Sequence, residues 1–382
     1  MTEVAISGAV LRWAVERSGR ADTVRSKFPK LSEWLRGRSR PTLRQLESLS
    51  KATLTPLGYF FLAQPPEERL PIPHFRTHTN EHVERPSPEL LDTVQAMERR
   101  QAWMRDYLIE QGNDPLGFVR SAKVSENAES VARRMREALQ LVEGWAGQQP
   151  NWSAALRELE TRAEQAGLLV VVSGIVGNNT RRKLDPREFR GFVLVDDYAP
   201  LVFVNGADGK AAQMFTLAHE IAHVWFGSSA AFDLRELQPA PDETEQACNR
   251  VAAEFLVPAE ELQAAWPDVR NRTDRFSALA SRFKVSEIVA ARRALDLGLV
   301  TRNVFFHFYE DYQDRWFKAA RKKQEGGDFY ATQNLRIGRR FAEAVVRATK
   351  EGRLLYGEAF RLTGLYGRTF DRYAESLFGR AT

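Results

Sequence analysis

The stretch 215-FTLAHEIAHVWFG-227 sets two histidines four residues apart around a glutamate. Phe215, Leu217, Ala218, Ile221, Ala222 and Phe226 form an apolar body with no proline before Gly227, which predicts a helix over about 210–226. On a helix, positions i and i+4 share a face, so His219 and His223 aim two imidazoles at one point. Glu220 lies about 100° further round, placed to reach a solvent molecule at a metal without ligating that metal. These residue types at this spacing are those of a zinc hydrolase, in which two imidazoles and a carboxylate hold the ion and leave one position open.

A third protein ligand must come from elsewhere. The nearest downstream acidic cluster is 241-PDETEQACNRVAAEFLVP-258, which also reads as a helix. Glu245 shares a face with Cys248, Asn249 and Ala252, at i+3, i+4 and i+7. Glu243 and Glu254 fall roughly on the opposite side, by about 160° and 180° at 100° per residue. Small residues beside Glu245 let two helices approach until a carboxylate reaches the ion. Glu245 is therefore the expected third ligand, with Zn2+ as the cofactor. Cys248, one turn on, reads as a small buried residue, with redox sensing as the alternative.

Ahead of the metal helix the period changes. The run 153-SAALRELETRAEQAG-167 is helical, with Ser153 as its expected cap, and leads into the strand "LLVVVS". "FRGFVLVDD" and "PLVFVN" are short β-rich runs separated by "DYA", a hairpin. An edge strand beside the cleft would hold an extended substrate by backbone pairing, with 193–195 or 202–204 as candidates. The expected fold is α+β and mostly helical: a zincin-like core of a small sheet plus the "HEIAH" helix, flanked by helical regions.

The three segments "FRGFVLVDDYAPLVFVN", "FTLAHEIAHVWFG" and "ETEQACNRVAAEFLVP" resemble the ImmA/IrrE family of bacterial metallo-endopeptidases over roughly residues 150–300. The resemblance implies a zinc peptidase with Glu220 as catalytic base and Glu245, in "EQACN", as third ligand. It also implies a cytoplasmic protein that cleaves a helix-turn-helix repressor. An N-terminus of the "FPKLSEWLRG" and "PIPHFRT" type further resembles regulators encoded beside nuclease toxins. The alternative is therefore an antitoxin-type protein that binds a co-encoded toxin and DNA, its peptidase site silent or secondary.

Residues 1–64 read as four or five short helices, with Thr42 as an N-cap after Pro41 and Leu43, Leu46, Leu49 and Leu54 as an apolar face. The module resembles the Xre/Cro-type helix-turn-helix family. That likeness implies a recognition helix over about 30–36, with Lys27, Lys30, Arg36, Arg38 and Arg40 facing phosphates or base edges. The other use of such a module is to hold a protein. Residues 65–86 form a proline-containing linker, in which His74, His78 and His82 carry no helical pattern and read as non-ligands. Residues 87–149 read as a helical spacer and packing layer, 150–300 as the metallopeptidase core and 301–382 as a helical, basic cap that regulates substrate access or binds a partner. In this last region His307, with Tyr309 and Tyr312, is the candidate oxyanion or substrate group. Arg292 and Arg293, just before it, read as packing residues.

Composition fits these expectations. The chain has 382 residues, 43% hydrophobic and 27% charged, with one cysteine, Cys248, so no intrachain disulfide forms. No apolar run approaches the roughly 20 residues needed to span a bilayer. "MTEVAISGAVLRWAVERSG" has scattered charges and reads as a helix, not a signal peptide, so a cytoplasmic protein is expected. The net charge of +5 hides a segregation: residues 1–64 and 301–382 each carry +6, and 65–300 carry −7. Charge divided this way suggests different partners for different parts. The expected partners are a protein substrate or toxin, and DNA through residues 1–64.

Overall fold

The computed structural model describes residues 3–68, 86–228, 230–232, 242–319 and 329–378. It divides into two compact units, Met1–Gln95 and Ala96–Thr382.

The first unit is helical: α1 (Gly8–Arg17), α2 (Ala21–Lys27), α3 (Leu31–Leu35), α4 (Leu43–Thr53) and a 3-10 turn, Leu57–Phe61. Thr42 caps α4 through a reciprocal capping box with Gln45, as its sequence predicts. Val10, Leu11, Trp13, Leu31, Trp34, Leu46, Leu49 and Phe60 make its core. Leu43 departs from the expected apolar face. It opens the first turn of α4, ahead of the buried row Leu46, Leu49 and Thr53, and is 44% exposed.

Helix α5 (Pro88–Glu110) contains the division between the units. The second unit continues with α6 (Ala128–Ala138), α7 (Trp152–Gln165), β1 (Leu169–Ser173), β2 (Gly191–Leu194), β3 (Leu201–Asn205), α8 (Lys210–Phe226), β4 (Ala230–Phe232) and α9 (Glu243–Leu256). After these come α10 (Ala259–Val269), α11 (Arg275–Phe283), α12 (Glu287–Asp296), α13 (Arg302–Ala319), α14 (Phe329–Ile337), α15 (Arg339–Lys350), α16 (Tyr356–Thr363) and α17 (Arg368–Phe378). The described residues are thus mostly helical with one small sheet. Asn151, not Ser153, caps α7: its side chain accepts the Ala154 amide, two residues earlier than the sequence suggests.

The sheet runs in the order β1-β3-β2-β4. β1 lies parallel to β3, from Leu169 opposite Leu201, and β2 and β3 form the expected antiparallel hairpin. β4 pairs antiparallel with β2, Gly191 facing Phe232. The edge-strand expectation is corrected here. The run 202–204 lies on β3, between β1 and β2, and Val193 pairs with both β3 and β4, whereas β4 does not reach Leu194, where β2 ends; the edge strands are β1 and β4. Both inner strands are wholly buried, as their continuous apolar sequence requires.

One face of the sheet packs on α8, and α8 packs on α9. Val193, Val202, Leu217, Ile221, Cys248, Ala252 and Phe255 lie in one core, joined by Val131, Ala132 and Met135 of α6 and by Trp145. Residues assigned to a spacer and packing layer by sequence thus contribute directly to the core that backs the metal helix. No helix among the described residues is long and apolar enough to cross a membrane.

Candidate metal centre

Helix α8 is buried at every position from Gln213 to Trp225, which its all-round apolar sequence dictates. Its ends are fastened by side chain and loop. The Gln213 amide donates to the Gly206 and Asp208 carbonyls at 3.2 and 2.6 Å, pinning the turn that leaves β3. At the other end, the amides of Arg120 and Ala122 donate to the Val224 and Trp225 carbonyls, each at 3.0 Å. Gly227 then closes the helix in the left-handed region at φ 76°, where glycine meets no steric cost.

Helix α9 begins at Asp242, whose carboxylate accepts the Thr244 and Glu245 amides at 2.7 and 3.3 Å. This cap places Glu245 in the first turn, where the helix dipole favours negative charge. Cys248 and Ala252, both fully buried, keep α9 close to α8.

The geometry brings His219, His223 and Glu245 to one point. His219 Nε2 lies 3.1 Å from Glu245 Oε2 and 3.0 Å from His223 Nε2, and His223 Nε2 lies 3.2 Å from Glu245 Oε1. One ligand atom from each falls within 4.8 Å of the other two, the one such group among the described residues that could hold a metal ion. Ligands about 2.0–2.1 Å from a tetrahedral zinc sit roughly 3.3 Å from each other, close to this spacing. Both imidazoles are fully buried and the Glu245 side chain is 16% exposed, leaving approach from one side.

The electrostatics suit cation binding. Burial holds the His219 imidazole below its ordinary pKa, partly opposed by Glu245, so its lone pair is available. Burial pushes the Glu245 carboxyl up, but hydrogen bonds and attraction from His219 and His223 outweigh it and hold the group below the usual carboxylate range. Burial, then the charge of Glu245, pushes Glu220 well above its ordinary value. Neither Glu220 oxygen has a hydrogen-bond partner among the described residues, although the side chain is fully buried. Burial, with the nearby carboxylates, raises the Cys248 thiol well above its usual value, so it sits protonated, which suits packing and not redox sensing.

The other sequence candidates go elsewhere. Glu243 is exposed. Glu254 is buried, pairs with Arg293 and accepts the Ala259 amide at 3.2 Å. Arg293 also donates to the Val257 carbonyl at 3.1 Å, so it locks α12 to the end of α9, and Arg292 pairs with Asp296 at 2.9 Å. His307 is exposed on α13, a helix that packs on α12, and Tyr309 stacks on Phe305 in a separate small cluster. Neither belongs to the metal-ligand group. Lys27, Lys30, Arg36, Arg38 and Arg40 are all exposed in the first unit and make no ion pair among the described residues. His74, His78 and His82 lie outside the described residues.

Two neighbours of Glu220 escaped sequence reasoning. Gly191 opens β2 where a β-carbon would lie 3.2 Å from Glu220 Oε1, and Thr216, one turn before Glu220, is buried against the same point. Glycine at the start of an otherwise β-branched and aromatic run, "RGFVLV", was the available signal.

Residues 163–295 match the family model described as the IrrE N-terminal-like domain, peptidase family M78. The match spans α8, α9 and the sheet, and supports an ImmA/IrrE-type domain with a metallopeptidase-type regulatory function. Residues 337–376 match a domain of unknown function, and no curated protein matches the chain.

Proposed function

We propose that this chain is a zinc-dependent endopeptidase that acts in transcriptional or stress regulation by cleaving a helix-turn-helix repressor or a related regulator. The observation that carries the reading is the convergence of His219, His223 and Glu245 beside a buried, unpartnered Glu220. A divalent ion held by the first three supplies Lewis acidity at the scissile carbonyl. Glu220 is the group that takes the proton of the attacking water and returns it to the departing amine. Burial raises its pKa, which strengthens it as a proton acceptor. His219 and His223 are fixed by the rigid frame of α8, and Glu245 by the Asp242 cap, so the donors need little reorganisation on binding.

The substrate reading rests on the family likeness. In this reading residues 1–64 recruit DNA or the protein to be cut, and the exposed Lys27, Lys30, Arg36, Arg38 and Arg40 favour an acidic partner. Incubating the purified chain and zinc with the repressor-like product of an adjacent gene tests the proposal. Cleavage by the wild-type chain and none by Glu220→Gln is expected. Cleavage that survives Glu220→Gln, or none at all with zinc bound, contradicts it. In the second case a binding-only role as an antitoxin-type regulator remains.

A further inference from the structure

A β-carbon at position 191 would lie 2.5 Å from Thr216 Cγ2, 2.8 Å from the Phe203 carbonyl oxygen and 3.2 Å from Glu220 Oε1. The first two distances are shorter than real β-carbon contacts. Gly191 does not have a positive φ, so the backbone itself does not demand glycine there. Room does. Thr216 and Glu220 sit one turn apart on the face of α8 turned toward β2, 1% and 0% exposed. Thr216 Oγ1 and both Glu220 oxygens have no hydrogen-bond partner among the described residues. Glu220 Oε1 and the Thr216 methyl both border the space that a β-carbon at 191 would enter, so packing at these two positions bears on where the carboxylate stands.

We propose that Gly191 and Thr216 are the positioning residues of Glu220, together setting the width of the slot in which its carboxylate stands. The inference rests on the peptidase reading for its kinetic consequence but not for its packing consequence. A slot too narrow pushes the carboxylate off its place, and one too wide lets it wander. Misplacement of a reacting group by about 1 Å costs roughly a hundredfold in rate.

The two positions therefore compensate. Gly191→Ala narrows the slot and is expected to lower kcat by about 10–100-fold with KM and zinc content unchanged. Thr216→Ser removes the wall and is expected to lower kcat by about threefold, in keeping with the loss of one methyl contact. Added to Gly191→Ala, the same change deletes the atom at 2.5 Å but not the Phe203 carbonyl oxygen at 2.8 Å, so it should restore part of the lost activity, and a harmful substitution becomes a partial rescue. Thr216→Val keeps the methyl and replaces a hydroxyl with no hydrogen-bond partner among the described residues, so it should retain kcat and raise Tm.

The experiment measures kcat, KM and zinc content for these four variants, and Tm of the same proteins stripped of metal. Metal-free Gly191→Ala should melt below wild type, and adding Thr216→Ser should recover part of that loss. Additive losses in both Tm and kcat, or a kcat for Thr216→Val lower than that of Thr216→Ser, overturn the proposal. If Gly191→Ala does not fold, the order of Thr216→Val and Thr216→Ser decides alone. A wild-type chain that binds zinc yet cleaves nothing defeats the peptidase reading, while the metal-free coupling of 191 with 216 still stands or falls independently.

Discussion

The second unit buries two clusters of charge, and they are built on opposite principles. At the metal centre, two imidazoles and a carboxylate face one another, and Glu220 beside them has no hydrogen-bond partner among the described residues. In the other cluster, around Arg100, backbone carbonyls meet the buried guanidinium. Arg100 donates to the Leu362 and Arg336 carbonyls at 2.9 and 2.8 Å, and so caps the C-terminal ends of α16 and α14. Its guanidinium also lies over the Phe341 ring, 5.7 Å from the centroid. Glu164 accepts the Arg340 amide at 3.2 Å, and Tyr373 donates to Asn334 at 2.9 Å. Buried polar groups that are satisfied hold a fold together. A buried group without a partner calls for a specific explanation, and beside three convergent metal ligands a bound ion with its substrate supplies one for Glu220.

That contrast can be broken most sharply at Glu220. Glu220→Gln is expected to lower the peptidase rate by about 10²–10⁴-fold, the usual contribution of a general base, without loss of thermal stability. A Tm drop like that of a core substitution would move Glu220 into the structural class. Arg100→Met is the converse case. It should cost about 2–4 kcal/mol in denaturant unfolding, because it leaves several buried carbonyls without a donor, while the rate per folded molecule is kept.

A smaller effect is read by pH at two carboxyls of α7. Burial raises Glu160 to about 7, with Lys210 opposing and Glu164 adding to the shift. Burial likewise raises Glu164 to about 7, against the Arg340 and Arg339 amides. A carboxyl raised from its ordinary 4.5 favours the folded state while it is protonated. Its contribution is full below the unfolded pKa and disappears as pH rises through about 7. Wild-type stability should therefore fall by roughly 1–3 kcal/mol between pH 6 and 9, and Glu160→Gln should flatten the curve. An unchanged slope would show that these two carboxyls are ionised in the folded protein.

The two clusters also differ in how far the sequence reveals them. The ligands of α8 are four residues apart, so helical period alone aligns them, and Glu245 is separated from its neighbours by phase along a single helix. Arg100 meets partners 262 and 236 residues away, and no local pattern announces such a contact. The sheet divides in the same way. The β2–β3 hairpin is legible from its short connection, whereas the edge position of β4 depends on a three-residue strand, Ala230–Phe232, too short to show a period. Gly191 was visible only as an oddity, because its meaning depends on a helix one turn of which lies beneath it.

Metal content is the most direct check on the central claim. Purified chain dialysed against zinc and then against buffer should retain one equivalent, and His223→Ala and Glu245→Ala should retain much less while remaining folded. A wild-type chain that keeps none, or ligand variants that keep as much as wild type, would contradict the assignment of His219, His223 and Glu245 as a metal site.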